Sequence, residues 1–219
     1  MDNVIQRTPI ILASRSPRRL ELLALLVPPD RIVVAPPANP DEPGFDDCRT
    51  IVDVERRLLE IARSKRVAVR TELARRGLHE DATILSADTT IVAESRTGSI
   101  EILGQPPIED SSRPTVRRWF EELYFERPHV AMTAVTIDTA AGRSLERVAV
   151  TTVSMNRARA GWLDWYLSTK EPDGKAGGYA AQGLASVFID RIEGSLTNVI
   201  GLPLEITREM LGELGVIDS

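Results

Sequence analysis

Cysteine is almost absent from this sequence. Cys48 stands alone among 219 residues, which excludes a disulfide within the chain and a thiolate zinc cage. Histidine is nearly as scarce, with only His79 and His129, far apart in sequence. A two-histidine metal site would need both of them. A metal used by this chain is therefore expected to be a hard cation on carboxylate and phosphate oxygens, Mg²⁺ or Mn²⁺. Long apolar runs are missing too. The stretch at residues 22–27 falls far short of the roughly 20 residues a membrane-spanning helix needs. Residues 1–10 lack the basic-then-apolar layout of a leader. The expectation is a cytoplasmic protein with no membrane partner. Lysine is the last scarcity: 27 basic residues include only Lys65, Lys170 and Lys175, the other 24 being arginine. The net charge of −5 excludes a broad basic face for nucleic acid. It leaves room for a small anionic ligand, which needs only a few local charges.

What is present suits one globular domain over residues 1–219, since 42% hydrophobic content supports a core at this length. A strand reads at residues 9–13, followed by a helix at 18–27 with Ser16 as N-cap and Pro17 at its first position. A short strand at 31–35, an acidic proline-rich loop at 36–47 and a long helix at about 51–76 come next. Residues 83–87 and 89–93 are β-branched and apolar, interrupted by Asp88. A turn at 95–99, an extended piece at 100–103 and a helix at 115–124 precede two hairpin partners at 130–138 and 145–155. A helix at 160–168, a glycine-rich loop at 174–183, a strand at 184–192 and a helix at 204–214 complete the chain. Strands alternating with helices, plus adjacent hairpin pairs, give an α/β fold with a mixed sheet.

Four places could carry chemistry. In Ser14-Arg15-Ser16-Pro17-Arg18-Arg19, three arginines crowd a helix N-terminus. Each cation there costs on the order of 0.3–1 kcal/mol unless compensated. An anion would reverse that cost and match the bidentate guanidinium; alternatively the arginines splay into solvent or pair with the acidic loop. Asp88 is an ionisable group inside a run that wants burial, which is costly unless the charge is paired or metal-bound. The alternative makes it a turn residue, though without the Gly, Pro or Asn of usual turns. The loop Asp173-Gly174-Lys175-Ala176-Gly177-Gly178-Tyr179-Ala180-Ala181-Gln182-Gly183 lets backbone approach a ligand, with Lys175 as a point charge and Gln182 able to pair with a base edge. It matches neither a P-loop nor a dinucleotide fingerprint, and as a sequence it also reads as a plain flexible loop. Lys65 lies on a helix whose other cations are arginines, which points either to a site needing a compact charge or to a solvated helix face.

Together these stretches form one pattern. Ile-Leu-Ala-Ser-x-Ser-Pro-Arg-Arg-x-x-Leu-Leu at 11–23, Ser-Ala-Asp-Thr at 86–89, Lys-Ala-Gly-Gly-Tyr-Ala-x-Gln-Gly at 175–183 and Arg-Ile-Glu-Gly-Ser-x-x-Asn-Val-x-Gly-Leu-Pro-Leu at 191–204 follow in order. The set closely resembles the Maf family of nucleotide pyrophosphatases, also described as septum-formation inhibitors, over about residues 10–214. The resemblance implies a bilobed, inosine-triphosphatase-like α/β fold with a twisted mixed sheet, flanking helices and a deep cleft. It also implies a homodimer, and hydrolysis of a nucleoside triphosphate to monophosphate and pyrophosphate with Mg²⁺ or Mn²⁺. By the same resemblance, Asp88 matches the proposed proton acceptor, and Arg18, Thr89 and Gln182 match positions linked to substrate choice. Lys65 and Lys175 match basic positions of the cleft, and Glu42 matches an acidic position proposed to help hold metal. The Gln182-Gly183 pair resembles the branch acting on dTTP and UTP. On this reading Arg15, Arg18 and Lys65 hold the triphosphate, Ser14 is a further substrate-binding position, and Asp88 with Glu42 holds the metal.

Two departures stand out. The family usually reads Leu-Gly-Lys-Pro where this chain has Leu103-Gly104-Gln105-Pro106, so a neutral amide replaces a cation; Met155 stands where an aromatic is common. Gln105 supports a second reading, a weakly active or inactive nucleotide-binding regulator of septum formation and cell division.

Overall fold

The computed structural model describes residues 8–38, 43–107 and 112–218. Seven strands form one mixed sheet: β1 (Ile10–Leu12), β2 (Ile32–Val34), β3 (Thr83–Glu94), β4 (Ile100–Leu103), β5 (Pro128–Asp138), β6 (Ser144–Met155) and β7 (Ile189–Glu193). The order is β2-β1-β3-β5-β6-β7, with β1 parallel to β2 and β3, and β3, β5, β6 and β7 antiparallel in turn. β4 also pairs with β3, antiparallel. Helices cover both faces: α1 (Pro17–Leu23), α2 (Ile51–Arg75), α3 (Ser112–Arg118), α4 (Trp162–Ser168), α5 (Leu196–Ile200) and α6 (Leu204–Glu213). The expected mixed α/β sheet flanked by helices is present.

Asp88 does not interrupt the chain. The two short strands expected around it are one strand of 12 residues, β3, because β5 pairs with it from Ile84↔Asp138 through Ala93↔His129. On its other edge β3 is shared. β1 reaches only to Leu12↔Leu85, extended by the Ala13 N–H donating to the Leu85 carbonyl at 2.8 Å, and β4 begins at Leu103↔Ile91. Among the described residues, positions 86–90 therefore have a neighbouring strand on the β5 side only. The sheet has a gap at its centre.

Alternation along β3 assigns its faces. Ile84 and Val92 pack under α2, in clusters that include Val54, Leu58, Val69 and Leu73. Leu85 and Ala87 face the opposite way, against α1 and α6 through Leu23, Met210 and Leu211. Ile91 and Ala93 share that second face but belong to a separate aromatic cluster with Phe120, Tyr124, Tyr166 and Phe188. These two clusters, at opposite ends of β3, are the two lobes.

Other expectations need correction. The helix expected at 18–27 stops at Leu23, and the following turn is closed by tighter bonds such as Leu25 N–H to the Leu22 carbonyl at 3.1 Å. The expected helix at 115–124 is α3 followed by a π-helical turn, Trp119–Tyr124, whose mark is the Phe125 N–H donating to the Phe120 carbonyl five residues back at 2.9 Å. That wider turn sends Phe120, Leu123 and Tyr124 all into the core. The expected strand at 184–192 is a 3₁₀ turn, Leu184–Phe188, and then β7. Ala185 and Phe188 are buried while Leu184 and Val187 are exposed, a period of three that matches a 3₁₀ turn and not a strand. α5 has no counterpart in the sequence reading. It is fixed by Ser195, whose side chain accepts the Asn198 N–H at 3.1 Å, and by Gly201 at φ +131°.

His129 on β5 is 1% exposed, with its Nε2 2.8 Å from the Tyr179 hydroxyl and its ring 4.2 Å from that of Tyr124. Burial pushes its pKa down to about 3. The unfolded chain then binds this proton below about pH 6.5 while the fold does not. The stabilisation is complete above that pH and is lost as pH falls towards 3. Urea unfolding of the wild type should lose about 2 kcal/mol from this residue between about pH 6.5 and pH 5. His129→Gln should lack that component, and equal pH slopes in the two proteins would refute it.

Candidate active site

The gap in the sheet opens into a cleft of about 940 Å³. Because β3 crosses it with one edge bare, side chains from both faces of the strand reach the same space. Asp88 from the α2 face and Thr89 from the other both line it. So do Ser14, Arg15, Arg18, Lys65, Gln105, Lys175 and Gln182, so the structure brings together nine of the residues singled out in the sequence. Glu42 lies outside the described residues.

The cleft's charge is one-sided. Arg15, Arg18, Arg19, Lys65 and Lys175 line it, and Asp88 is the only carboxylate among the described lining residues. Lys65 occupies the buried stripe of α2, in step with Leu58, Ala62 and Val69. A cation on that stripe is costly unless it is met by an anion. The Lys65 Nζ meets Asp88 Oδ1 at 2.6 Å, with the two side chains 12% and 14% exposed. One position away along the same face of β3, the Ser86 hydroxyl donates to the Ala62 carbonyl at 2.7 Å, which seats the helix on the strand. Thus the solvated-lysine reading of Lys65 and the turn reading of Asp88 both fail.

The three arginines of the first motif diverge. Arg15 is exposed at the rim. Arg18 is half-buried, and desolvation pulls its pKa down, partly offset by Glu21. Lys175 is pulled down as well, first by desolvation and then by the charge of Arg18. Arg19, which the sequence reading left without a role, is tied down. Its guanidinium donates to the Gly201 carbonyl at 2.9 Å, the Ser14 hydroxyl at 3.2 Å and the Thr89 hydroxyl at 3.0 Å. Thr89 and Thr133 hydroxyls are 2.8 Å apart, and Thr133 donates to the Asn198 carbonyl at 3.2 Å. Arginine only donates and a carbonyl only accepts, so the ends set the direction and Thr89 donates to Thr133. The Thr89 hydroxyl proton goes to Thr133, the Gly201 carbonyl lying farther off at 3.5 Å, and with one lone pair taken by Arg19 its methyl and one lone pair remain for a ligand. Asn198 extends the chain, donating to the Ala131 carbonyl at 3.0 Å and the Thr151 hydroxyl at 2.9 Å.

The opposite wall is the glycine-rich loop, and it is pinned. The chain has three tyrosines, and the hydroxyl of each is used at this loop. Tyr124 donates to the Gly177 carbonyl and Tyr166 to the Gly178 carbonyl, both at 2.9 Å, and Tyr179 meets His129. Gly177 has φ +70°, and a Cβ there would lie 2.6 Å from Ile91 and 2.7 Å from the Tyr124 hydroxyl. The loop is pressed against the aromatic lobe, so the flexible-loop reading fails too. Lys175 at its start donates to the Glu171 carbonyl at 2.5 Å, and Gln182 at its end is exposed.

Residues 9–214 match the family profile described as Maf-like protein. A relative from Hyphomonas neptunium, named dTTP/UTP pyrophosphatase, is 35% identical over 94% of this chain and 96% of its own length. Another of the same name, from Rhodospirillum rubrum, is 38% identical over 94% of this chain and 88% of its own. Among solved structures, a nucleoside-triphosphatase, dITP/XTP pyrophosphatase, from Mycobacterium abscessus covers 96% of this chain and 98% of its own, with 14% identity and a TM-score of 0.39; at that score the likeness carries no argument. With the profile spanning nearly the whole sequence and the four motifs lining or underpinning one cleft, this chain belongs to the Maf family.

Proposed function

We propose that this chain hydrolyses pyrimidine nucleoside triphosphates, dTTP and UTP among them, to the monophosphate and pyrophosphate. The observation that carries the reading is the cleft's composition: among the described residues, five cations surround a single carboxylate that Lys65 holds at 2.6 Å. Cations in excess suit a polyanionic substrate, and one ionised carboxylate among them is the group that can take a proton from water. The relatives' shared name supports the same substrates.

Among the described residues, a divalent cation fits the site as one shared with the substrate. Among the described residues no cluster of three or more acidic, histidine or cysteine side chains could hold a metal. Asp88 together with phosphate oxygens could, as Mg²⁺ commonly uses one or two carboxylates and substrate phosphates. Such an ion would supply charge neutralisation to the phosphates.

The protein's own groups do the rest. Arg18 and Lys175, both destabilised as cations in the cleft, hold phosphate oxygens and oppose the charge growing on the leaving pyrophosphate. Asp88 orients a water towards the α-phosphorus and accepts its proton as the bond from that phosphorus to the bridging oxygen breaks. Lys65 fixes the Asp88 carboxylate in place. Gln182, which can both donate and accept, pairs with the base edge. A binder that regulates division without turnover would not need a carboxylate facing the bound phosphates.

Asp88→Asn should lower kcat by roughly a hundredfold to ten-thousandfold with an unchanged circular dichroism spectrum; near-normal turnover would remove Asp88 from its role. Gln105→Lys restores a cation to the cleft and should raise kcat/KM for UTP by roughly tenfold. No change would mean that the other cleft cations already fill that place. Pyrophosphate release from dTTP, UTP, CTP and 7-methyl-GTP, each with Mg²⁺ or Mn²⁺, tests the function itself. Tight binding of all four without turnover would leave the regulator reading standing in its place.

A further inference from the structure

Glu171 lies in the segment between α4 and the glycine-rich loop, does not line the cleft, and belongs to none of the four motifs. Yet it touches the loop at both ends. Its carboxylate accepts the backbone N–H of Leu184 at 2.6 Å and of Ala185 at 3.0 Å. Its own carbonyl accepts the Lys175 Nζ at 2.5 Å. Between those ends the carboxylate presses on Gly183, where a Cβ would lie 2.4 Å from Glu171 Oε2 and 2.6 Å from Cδ. Gly183 is thus the residue that lets the carboxylate reach the two amides, and it follows Gln182 directly. The Tyr124 and Tyr166 hydroxyls already pin the carbonyls of Gly177 and Gly178. The Gly183 N–H closes a turn onto the Ala180 carbonyl at 3.1 Å. What remains to be fixed is the backbone just past Gln182, and Glu171 fixes it.

We propose that Glu171 is a positioning residue for base selection: by clamping the backbone at residues 183–185 while its carbonyl holds Lys175, it sets the angle at which Gln182 meets the nucleobase. The inference rests on the pyrimidine-triphosphatase reading and adds the element that enforces it. The Glu171 side chain bonds the loop backbone at Leu184 and Ala185, so its loss acts on recognition and leaves the proton-accepting carboxylate in place. A charged acceptor that serves two N–H groups cannot be replaced by an amide. The Nε2 of a glutamine would confront one of the two donors.

The test measures kcat and KM for UTP and for ATP in the wild type, Glu171→Gln, Glu171→Ala and Gly183→Ala. Glu171→Ala should raise KM for UTP about tenfold with kcat nearly unchanged and ATP kinetics unmoved, so that discrimination collapses. Glu171→Gln should fall between it and wild type. Gly183→Ala, which displaces the carboxylate, should reproduce the loss, and the double variant with Glu171→Ala should add nothing further. Amide hydrogen exchange at Leu184 and Ala185 should accelerate in each variant. If Glu171→Ala does not fold, Glu171→Gln reads the same ratio. A lowered Tm with unchanged UTP/ATP discrimination would show a merely structural cap and overturn the positioning role alone. A wild type without turnover on any triphosphate would instead overturn the enzyme reading and this inference with it.

Discussion

An ionised aspartate in the central strand of a sheet must be met by a positive charge, and Lys65 is where the structure meets it. The pair spans two layers, from the middle of α2 to the middle of β3, at 2.6 Å. Such a pair is not chiefly a source of stability. Taking both charges out of water costs several kcal/mol each in effective terms, about what their attraction returns. What it does is forbid alternatives. A slip of one residue in the β3 register would turn Asp88 to the other face, away from α2, and leave Lys65 among Leu58, Ala62 and Val69 without it. The pair locks helix to strand at the level where the sheet opens.

That opening gives Asp88 something to act on. Had β1 and β4 met along β3, the sheet would be continuous and its two faces would be separate surfaces. Because they stop at Leu85 and Ile91 respectively, a ligand in the gap can meet residues of both faces. The two walls are then held by different means. On one side a directed chain of hydrogen bonds runs from Arg19 through Thr89 and Thr133 to Asn198. On the other, buried phenols grip the carbonyls of the glycine loop. Burial pushes the Tyr124 and Tyr166 phenols up, which favours the neutral form that donates these bonds.

The sequence carried more of the site than of the fold's details, for a physical reason. Lys65 and Asp88 were legible because each violates its surroundings, a lysine among arginines and a carboxylate in an apolar run. Arg19 was not, since Arg15, Arg18 and Arg19 are equivalent as text and differ only in what the chain folds against them. Glu171 was invisible for a similar reason: its partners are backbone amides, which every residue has. The π turn at Trp119–Tyr124 adds one residue to a helical period and looks like a helix in sequence. The apolar run Leu184–Phe188 hid its period of three, because two of its exposed positions, Leu184 and Val187, are apolar.

The charge balance also takes a definite form in space. The chain is acidic overall, at −5, yet its cleft is cationic, because many acidic side chains elsewhere are taken up by arginines away from it. Arg57 pairs with Asp47, Arg66 with Glu146, Arg117 with Asp164, and Arg147 with Glu209 and Glu213. In the cleft, Lys175 is instead disfavoured as a cation, first by burial and then by the charge of Arg18. A polyanion seated between them relieves that repulsion and is itself neutralised, so the cost of building the site returns as selectivity for high negative charge. A long nucleic acid would have to bring its many phosphates against an acidic exterior. A single triphosphate meets only the cleft.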